Sequence, residues 1–418
     1  MKSTRIILIV VSLALLFAIM LNFGGCAMSV RAADLMEGVS PNSIRAIDDL
    51  KGNSADITDF AVRLFKQANE GGKNTLLSPL SVLCALAMTA NGAERETRGQ
   101  MEAVLGMNVD ELNLYLYSYI NSLPQGEKYK LSVANSIWLK DTDGFSVNPS
   151  FLQANADYYK AQIYKSPFDK RTLRDINVWV RNQTDGMIPK IIDEIPSQAL
   201  MYLINALAFE AEWLDIYETD QVVERIFTKE DGERQSVELM YSTEGKYLED
   251  ENAVGFIKYY NGSKYAFVAL LPDEGITVSE YINSLNGEAL SSVLANAKSR
   301  TVRAAIPKFN TDYTVEMNDI LKAIGMQDAF DGKRAEFGGI GEWRDGPIYI
   351  GDVIHKTYIQ VGERGTKAGA VTAVRLDGAT SQDPMEVKQV ILDRPFVYML
   401  IDCEANLPFF IGTLMDAR

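Results

Sequence analysis

Histidine is almost missing from this chain. A single one, His355, stands among 418 residues, which excludes multi-histidine metal sites and leaves any Ser-His-Asp arrangement only one possible base. No Gly-x-Ser-x-Gly elbow lies near the serines that would need it, and "IYIGDVIHKTY" at 348–358 puts no evident nucleophile beside the histidine. Read on its own, His355 is an ordinary buried, hydrogen-bonded histidine. Cysteine is nearly as scarce. Of three, Cys84 and Cys403 sit in apolar stretches and read as buried free thiols, too few for a disulfide framework. Clustered Lys and Arg are also lacking: the net charge of −15 argues against general nucleic-acid affinity, because phosphate binding needs concentrated positive charge. Internal repeats and low-complexity tracts are absent too.

What is present is core material. Hydrophobic residues make up 47% of the chain, enough for one large domain or two. At the start, Lys2 and Arg5 precede a run over 6–21 that is apolar but for Ser12 and is followed by small residues, the pattern of an export signal over 1–33. Gly24-Gly25-Cys26 resembles a bacterial lipoprotein cleavage site, in which Cys26 would be acylated and tether the domain to the outside of a membrane. Ordinary cleavage after Ala32 or Ala33 would instead release it, and a retained run would be a membrane anchor of borderline length. Residues 34–54 are polar and aperiodic and read as a tether, with the domain occupying 55–418.

Within that domain, Phe60, Ala61, Leu64 and Phe65 recur at helical spacing before Gly71-Gly72, and Ser78-Pro79 opens a helix that runs to Gly92. Further helices are expected near 95–105, 110–122, 148–158, 172–185, 277–296 and 315–325. Strands are expected over 130–140, 200–210, 253–260, 264–271, 301–308, 347–361, 388–401 and 408–414, with hairpins at Asp231-Gly232 and Asn261-Gly262. Helices crowd the first half and strands the second, so the class is α+β.

One segment fits neither period well. "VGERGTKAGAVTAVRLDGAT" at 361–380 is long, small and weakly polar. By alternation, Thr366, Ala368, Ala370, Thr372, Val374 and Leu376 share one face, while Lys367, Gly369, Val371, Ala373, Arg375 and Asp377 share the other. It is a strand with its charges in water or, with Gly365, Gly369 and Gly378, an exposed loop.

Seven motifs in order resemble the serpins, the serine-protease-inhibitor fold: "NTLLSPLSV" (74–82), "VANSIWLK" (133–140), "INVWVRNQTDGMIPKII" (176–192), "LINALAFEAEW" (203–213), "AIPKF" (305–309), "IYIGDVIHKTYIQVGERGTKAGAVT" (348–372) and "DRPFVYMLID" (393–402). The resemblance implies a large central mixed sheet, smaller sheets, surrounding helices and an exposed reactive loop over about 362–386. It further implies a suicide inhibitor of serine proteases, not an enzyme, acting as a monomer without metal or cofactor. The target protease would be held as a covalent acyl-enzyme while the cut loop inserts into the main sheet.

Carried over by position, Glu363, Gly365, Thr366, Lys367, Ala368, Gly369 and Ala370 resemble the loop hinge, with the bend at Gly365-Thr366. Many serpins have an acidic residue where Lys367 stands. Ser78, Ser81, Asn205 and His355 match the shutter beneath the strands that part. Trp213 and Lys308 match the breach, where Lys308 and Glu363 would bridge hinge to sheet and hold the loop out. The family's hinge spacing puts the reactive bond at Ala379-Thr380, which suits elastase-like or subtilisin-like enzymes. Arg375-Leu376 lies four residues early, and counting back from "RPF" brings Met385 into view. A binding or carrier serpin is the alternative. From Gly365 the extended segment spans about 50 Å at ~3.3 Å per residue. About a dozen new ladder bonds with some apolar burial would supply ~10 to 20 kcal/mol, comparable with a protease domain's whole stability.

Overall fold

Ser78 caps a helix through its hydroxyl, which accepts the Ser81 N–H at 3.2 Å, and Pro79 occupies the first turn, where a missing N–H costs nothing. The helix, Pro79–Ala90, is apolar all round and buried at every residue. It packs against the strands Tyr129–Lys140 and Met201–Glu212 of one sheet and against Leu407–Leu414 of another, and so forms the centre of the molecule. The computed structural model describes residues 29–52, 54–123, 129–195, 200–366 and 387–418.

Among the described residues the central sheet has seven strands in the order Ala33–Asp34, Gln162–Ser166, Tyr129–Lys140, Met201–Glu212, Gly365–Thr366, Asp352–Gly362 and Phe309–Glu316. It is mixed. Tyr129–Lys140 runs parallel to Gln162–Ser166 and antiparallel to Met201–Glu212, while Asp352–Gly362 runs parallel to Met201–Glu212. On one face the helix Lys170–Gln183 contributes Trp179 to a cluster with Trp138, Tyr202 and Ile204 of the sheet, and its N-terminus is closed by a capping box between Asp169 and Thr172. The other face meets the main core.

A second sheet, of nine strands among the described residues, completes that core. Tyr265–Pro272, Phe396–Asp402 and Leu407–Leu414 are buried along their whole length, as continuous apolar runs require.

Several boundaries differ from the expectations, each for a local reason. The helix expected over 277–296 is two, Val278–Ser284 and Gly287–Ala295, because Asn286 is extended and its side chain caps the second by accepting the Ala289 N–H. The strand expected over 388–401 is also two. Pro395, between Lys388–Ile391 and Phe396–Asp402, has no N–H for a ladder, and the two pieces pair with different partners in the same sheet. Val315 and Glu316 end the edge strand Phe309–Glu316, so the helix expected from 315 begins at Asn318. The strand expected from 347 begins at Asp352.

The largest difference lies at the front. The segment expected as a free tether, 34–54, is laid along the domain. Ala33 and Asp34 pair with Lys165 and Tyr164 at the sheet edge, and Leu35, Met36, Ile47 and Leu50 pack against the core. Asn42 donates two hydrogen bonds to Asp157, and the Ile47 N–H donates to Ser118 Oγ. Its apolar residues follow no helix or strand period because each meets a different part of the domain.

Candidate functional site at the seam of the central sheet

The site is a seam between Met201–Glu212 and Asp352–Gly362. In the lower rows the two strands face each other directly, from Asp352 opposite Tyr202 to Lys356 opposite Ala206, and this pairing stops there. At the upper end Gly365–Thr366 lies between them, antiparallel to both, with Gly365 opposite Gly362 and Glu212 and Thr366 opposite Val361 and Ala211. The bend expected at Gly365-Thr366 is therefore already inside the sheet. Only glycine fits there: its φ is +149°, and a Cβ would lie 2.0 Å from the Ala211 carbonyl oxygen. Thr366 is 1% exposed, so the small-residue face of the 361–380 segment starts inward.

Four interactions hold this entry. The backbone N–H groups of Trp213 and Tyr217 donate to the carbonyls of Arg364 and Glu363, at 2.8 and 2.9 Å. Trp213 Nε1 donates to Gly362 O at 2.9 Å, and Thr366 Oγ1 shares a 2.6 Å hydrogen bond with the Tyr260 hydroxyl. Beneath, Trp213 stacks on Tyr260 at 4.3 Å, while buried Lys258 lies over the Tyr217 and Trp213 rings and pairs with Glu244 at 3.0 Å.

Charges frame the upper end. Lys308 Nζ stands 2.6 Å from Glu363 Oε1 and 2.8 Å from Glu238 Oε2. Partial burial works against the Lys308 ammonium, yet its two carboxylate partners leave it above its ordinary range. Glu363 is lowered: burial is the largest single influence and opposes its charge, but the hydrogen bond from Lys308, a backbone hydrogen bond and the Lys308 charge together outweigh it. Arg364 pairs with Glu212 at 2.8 Å. A cavity of about 620 Å³ opens over these residues, lined among others by Glu210, Gln360 and Arg418.

Lower down, His355 bridges the seam. The Ser78 N–H donates to its Nε2 at 3.0 Å, so Nδ1 carries the ring proton and donates to Asn205 Oδ1 at 2.5 Å. Burial pushes the imidazole down to about 3, and it stays neutral in any ordinary buffer. Thr357 Oγ1 donates to Leu76 O at 2.7 Å, a second tie between seam and core. With both ring nitrogens engaged by an amide oxygen and a backbone N–H, the histidine has no serine to activate and no access to substrate.

The structure thus brings Ser78, Asn205 and His355 together, with Ser81 joined through its N–H to Ser78 Oγ, and separately gathers Trp213, Lys308, Glu363, Gly365 and Thr366. Lys367, Ala368, Gly369, Ala370, Arg375, Leu376, Ala379, Thr380 and Met385 lie outside the described residues, as do Cys26 and the export segment through residue 28. Among the described residues no group of three or more His, Cys, Asp or Glu side chains is arranged to hold a metal ion. No helix among them is long and apolar enough to cross a membrane.

Sequence reasoning missed Tyr260, Lys258 and Arg364. A signal existed for one of them: a lysine inside the apolar run 253–260 must either be exposed or be paired, and Lys258 is paired.

A large mixed central sheet, with a short strand seated between two longer ones at its upper end and a polar bridge below, places the chain among α+β proteins built around one such sheet. The chain belongs to the serpin family: the family model "Serpin (serine protease inhibitor)" matches residues 55–417. An uncharacterized serpin-like protein of Thermococcus kodakarensis is 28% identical over 371 residues, covering 87% of this chain and 85% of that one. Human neuroserpin is 25% identical over 379 residues, covering 86% and 90%. Among solved structures, the thermophilic serpin tengpin in its native state is 48% identical, with a TM-score of 0.88 over 93% of this chain and all of the other. Its latent state, 47% identical, covers 90% and 100% with a TM-score of 0.78.

Proposed function

We propose that this protein is an irreversible suicide inhibitor of serine endopeptidases of elastase-like or subtilisin-like specificity. The target's serine attacks the carbonyl of Ala379, the amide bond to Thr380 breaks, and the new amino terminus at Thr380 leaves. The protease stays esterified to Ala379 while the freed segment continues the strand begun at Gly365–Thr366. Arg375-Leu376 and Met385 are the lesser candidates for the cut bond.

One observation carries this reading. Val361 and Ala211, which flank Thr366, have the same sequence offset as His355 and Asn205, which face one another lower down (361 − 211 = 355 − 205). The seam therefore has one register from end to end, and a strand added to it requires the flanking strands to separate but not to slide. Continued in that register, Ala368 would arrive at the row of Phe209 and Ile359, Ala370 at that of Leu207 and Thr357, and Thr372 at that of Asn205 and His355. These rows face the core, where small side chains enter without clash and without stranding a charge. Lys367 and Arg375 would stay on the outer face. The higher TM-score to tengpin's native than to its latent form also supports a resting, uninserted state.

For its location we propose export: the domain is secreted, or tethered outside a bacterial membrane through Cys26. The carrier alternative draws nothing from thyroxine-binding globulin, which at 22% identity shares the fold.

Incubation with pancreatic elastase and subtilisin should give a band of combined mass that survives denaturing electrophoresis, and N-terminal sequencing of the released fragment should begin at Thr380. Cleavage by every enzyme tried, with no such band, would overturn the inhibitory reading.

A further inference from the structure

The short strand at the upper end of the seam meets one side chain from the other large sheet. Tyr260 follows directly on the strand Ala253–Tyr259, is fully buried, and shares its hydroxyl hydrogen bond with Thr366 at 2.6 Å. The ring has little freedom. It stacks on Trp213 with an interplanar angle of 10° and takes Phe209 edge-on at 5.1 Å, and Trp213 in turn is tied to Gly362 O through its indole N–H. A rigid phenol therefore aims its one polar atom at the first inward-facing residue of the entering segment. The neighbouring ion pairs, Lys308 with Glu363 and Arg364 with Glu212, hold residues before that point and are partly exposed, so solvent weakens them.

We propose that Tyr260 is the positioning residue that keeps the hinge seated in the resting molecule, so that the strand a cut loop would extend is nucleated before any protease arrives. The first residues of a new strand are the costly ones, since they are ordered before most ladder bonds reward them. A hinge already anchored spares the cut loop that step and shortens the interval in which the acyl-enzyme can hydrolyse. The consequence for inhibition rests on the reading of the protein as an inhibitor, whereas the contact itself does not.

The test uses the uncut, full-length protein and three variants. Tyr260→Phe keeps the ring and its stack but leaves Thr366 Oγ1 buried without its partner, which should speed amide exchange at residues 365–366 roughly 5- to 30-fold. Thr366→Val strands the phenol instead and should do the same. Tyr260→Phe/Thr366→Val removes both hydroxyls and should return exchange to near the parent value, because no polar group is then left unpaired. Protection of Phe396–Asp402 should stay constant throughout, which shows that the fold is intact. With a protease that the parent protein traps, each single variant should consume severalfold more inhibitor per enzyme captured, and the double variant should recover. Unchanged exchange in Tyr260→Phe, or a double variant as exposed as the singles, overturns the proposal. If the parent traps no serine protease, the inhibitory reading fails while the exchange results still decide the role of Tyr260.

Discussion

Gly365 marks the point where chain chemistry and sheet geometry leave no choice. Its positive φ and the 2.0 Å approach of the Ala211 oxygen to a would-be Cβ mean that any side chain must push the hinge out of the seam. Gly365→Val should therefore lose the seated hinge: a penalty of about 2 kcal/mol alone shifts its occupancy roughly 30-fold. Faster amide exchange at 365–366, and cut inhibitor accumulating at the expense of the covalent band, would register this. An unchanged hinge would show that the close approach is relieved elsewhere. His355 carries a different consequence. Its folded value, about 3, lies below the ordinary 6.5, so the unfolded chain takes up the proton first, and the stability it contributes is complete above pH 6.5 and is lost as pH falls toward 3. At pH 4.5 the loss should be about 2–3 kcal/mol relative to pH 7. Denaturant melts of the parent and His355→Gln at the two pH values would check this. The variant starts less stable, but its acid slope should be shallower by that amount.

At the scale of elements, the N-terminal arm was the least legible part of the chain. Two residues of strand, Ala33–Asp34, carry no readable alternation, and the arm's apolar side chains are spaced to suit separate seats on the domain. The helix Pro79–Ala90 was legible because cap, proline and apolar content agree locally. Removing residues through 52 should uncover the seats of Leu35, Met36, Ile47 and Leu50 and free the edge of Gln162–Ser166, a loss of about 3–5 kcal/mol. The apparent thermal midpoint should fall by roughly 4–7 °C. A scanning-fluorimetry midpoint equal to that of the full chain would mean the arm only rests on the surface.

For the whole molecule, the seam is the quantity that matters. Its two strands already share the register that an added strand needs, and their pairing stops after Lys356 and Ala206, short of the hinge. On the inhibitory reading proposed above, the sheet gains ladder bonds and apolar contact when a strand of suitable size fills the seam. A single nick near Ala379 should therefore stabilise it, raising the thermal midpoint by roughly 20 °C or more. Calorimetry before and after limited proteolysis decides this: a nicked form that melts where the intact form does would mean that the cut arm stays out of the sheet.

The α+β class, most helices and strands, and the family were legible in the chain alone, because caps, periods and seven ordered motifs are local signals that survive without tertiary context. The sequence also singled out the lone histidine that the structure places at the seam. Folding in three dimensions was needed to show that Gly365–Thr366 sits inside the sheet, that Tyr260, just past a strand of the other large sheet, is what Thr366 meets there, and that the arm is docked. Those facts depend on which distant surfaces come together in three dimensions, and neither a residue's identity nor its spacing along the chain encodes the partner it will face.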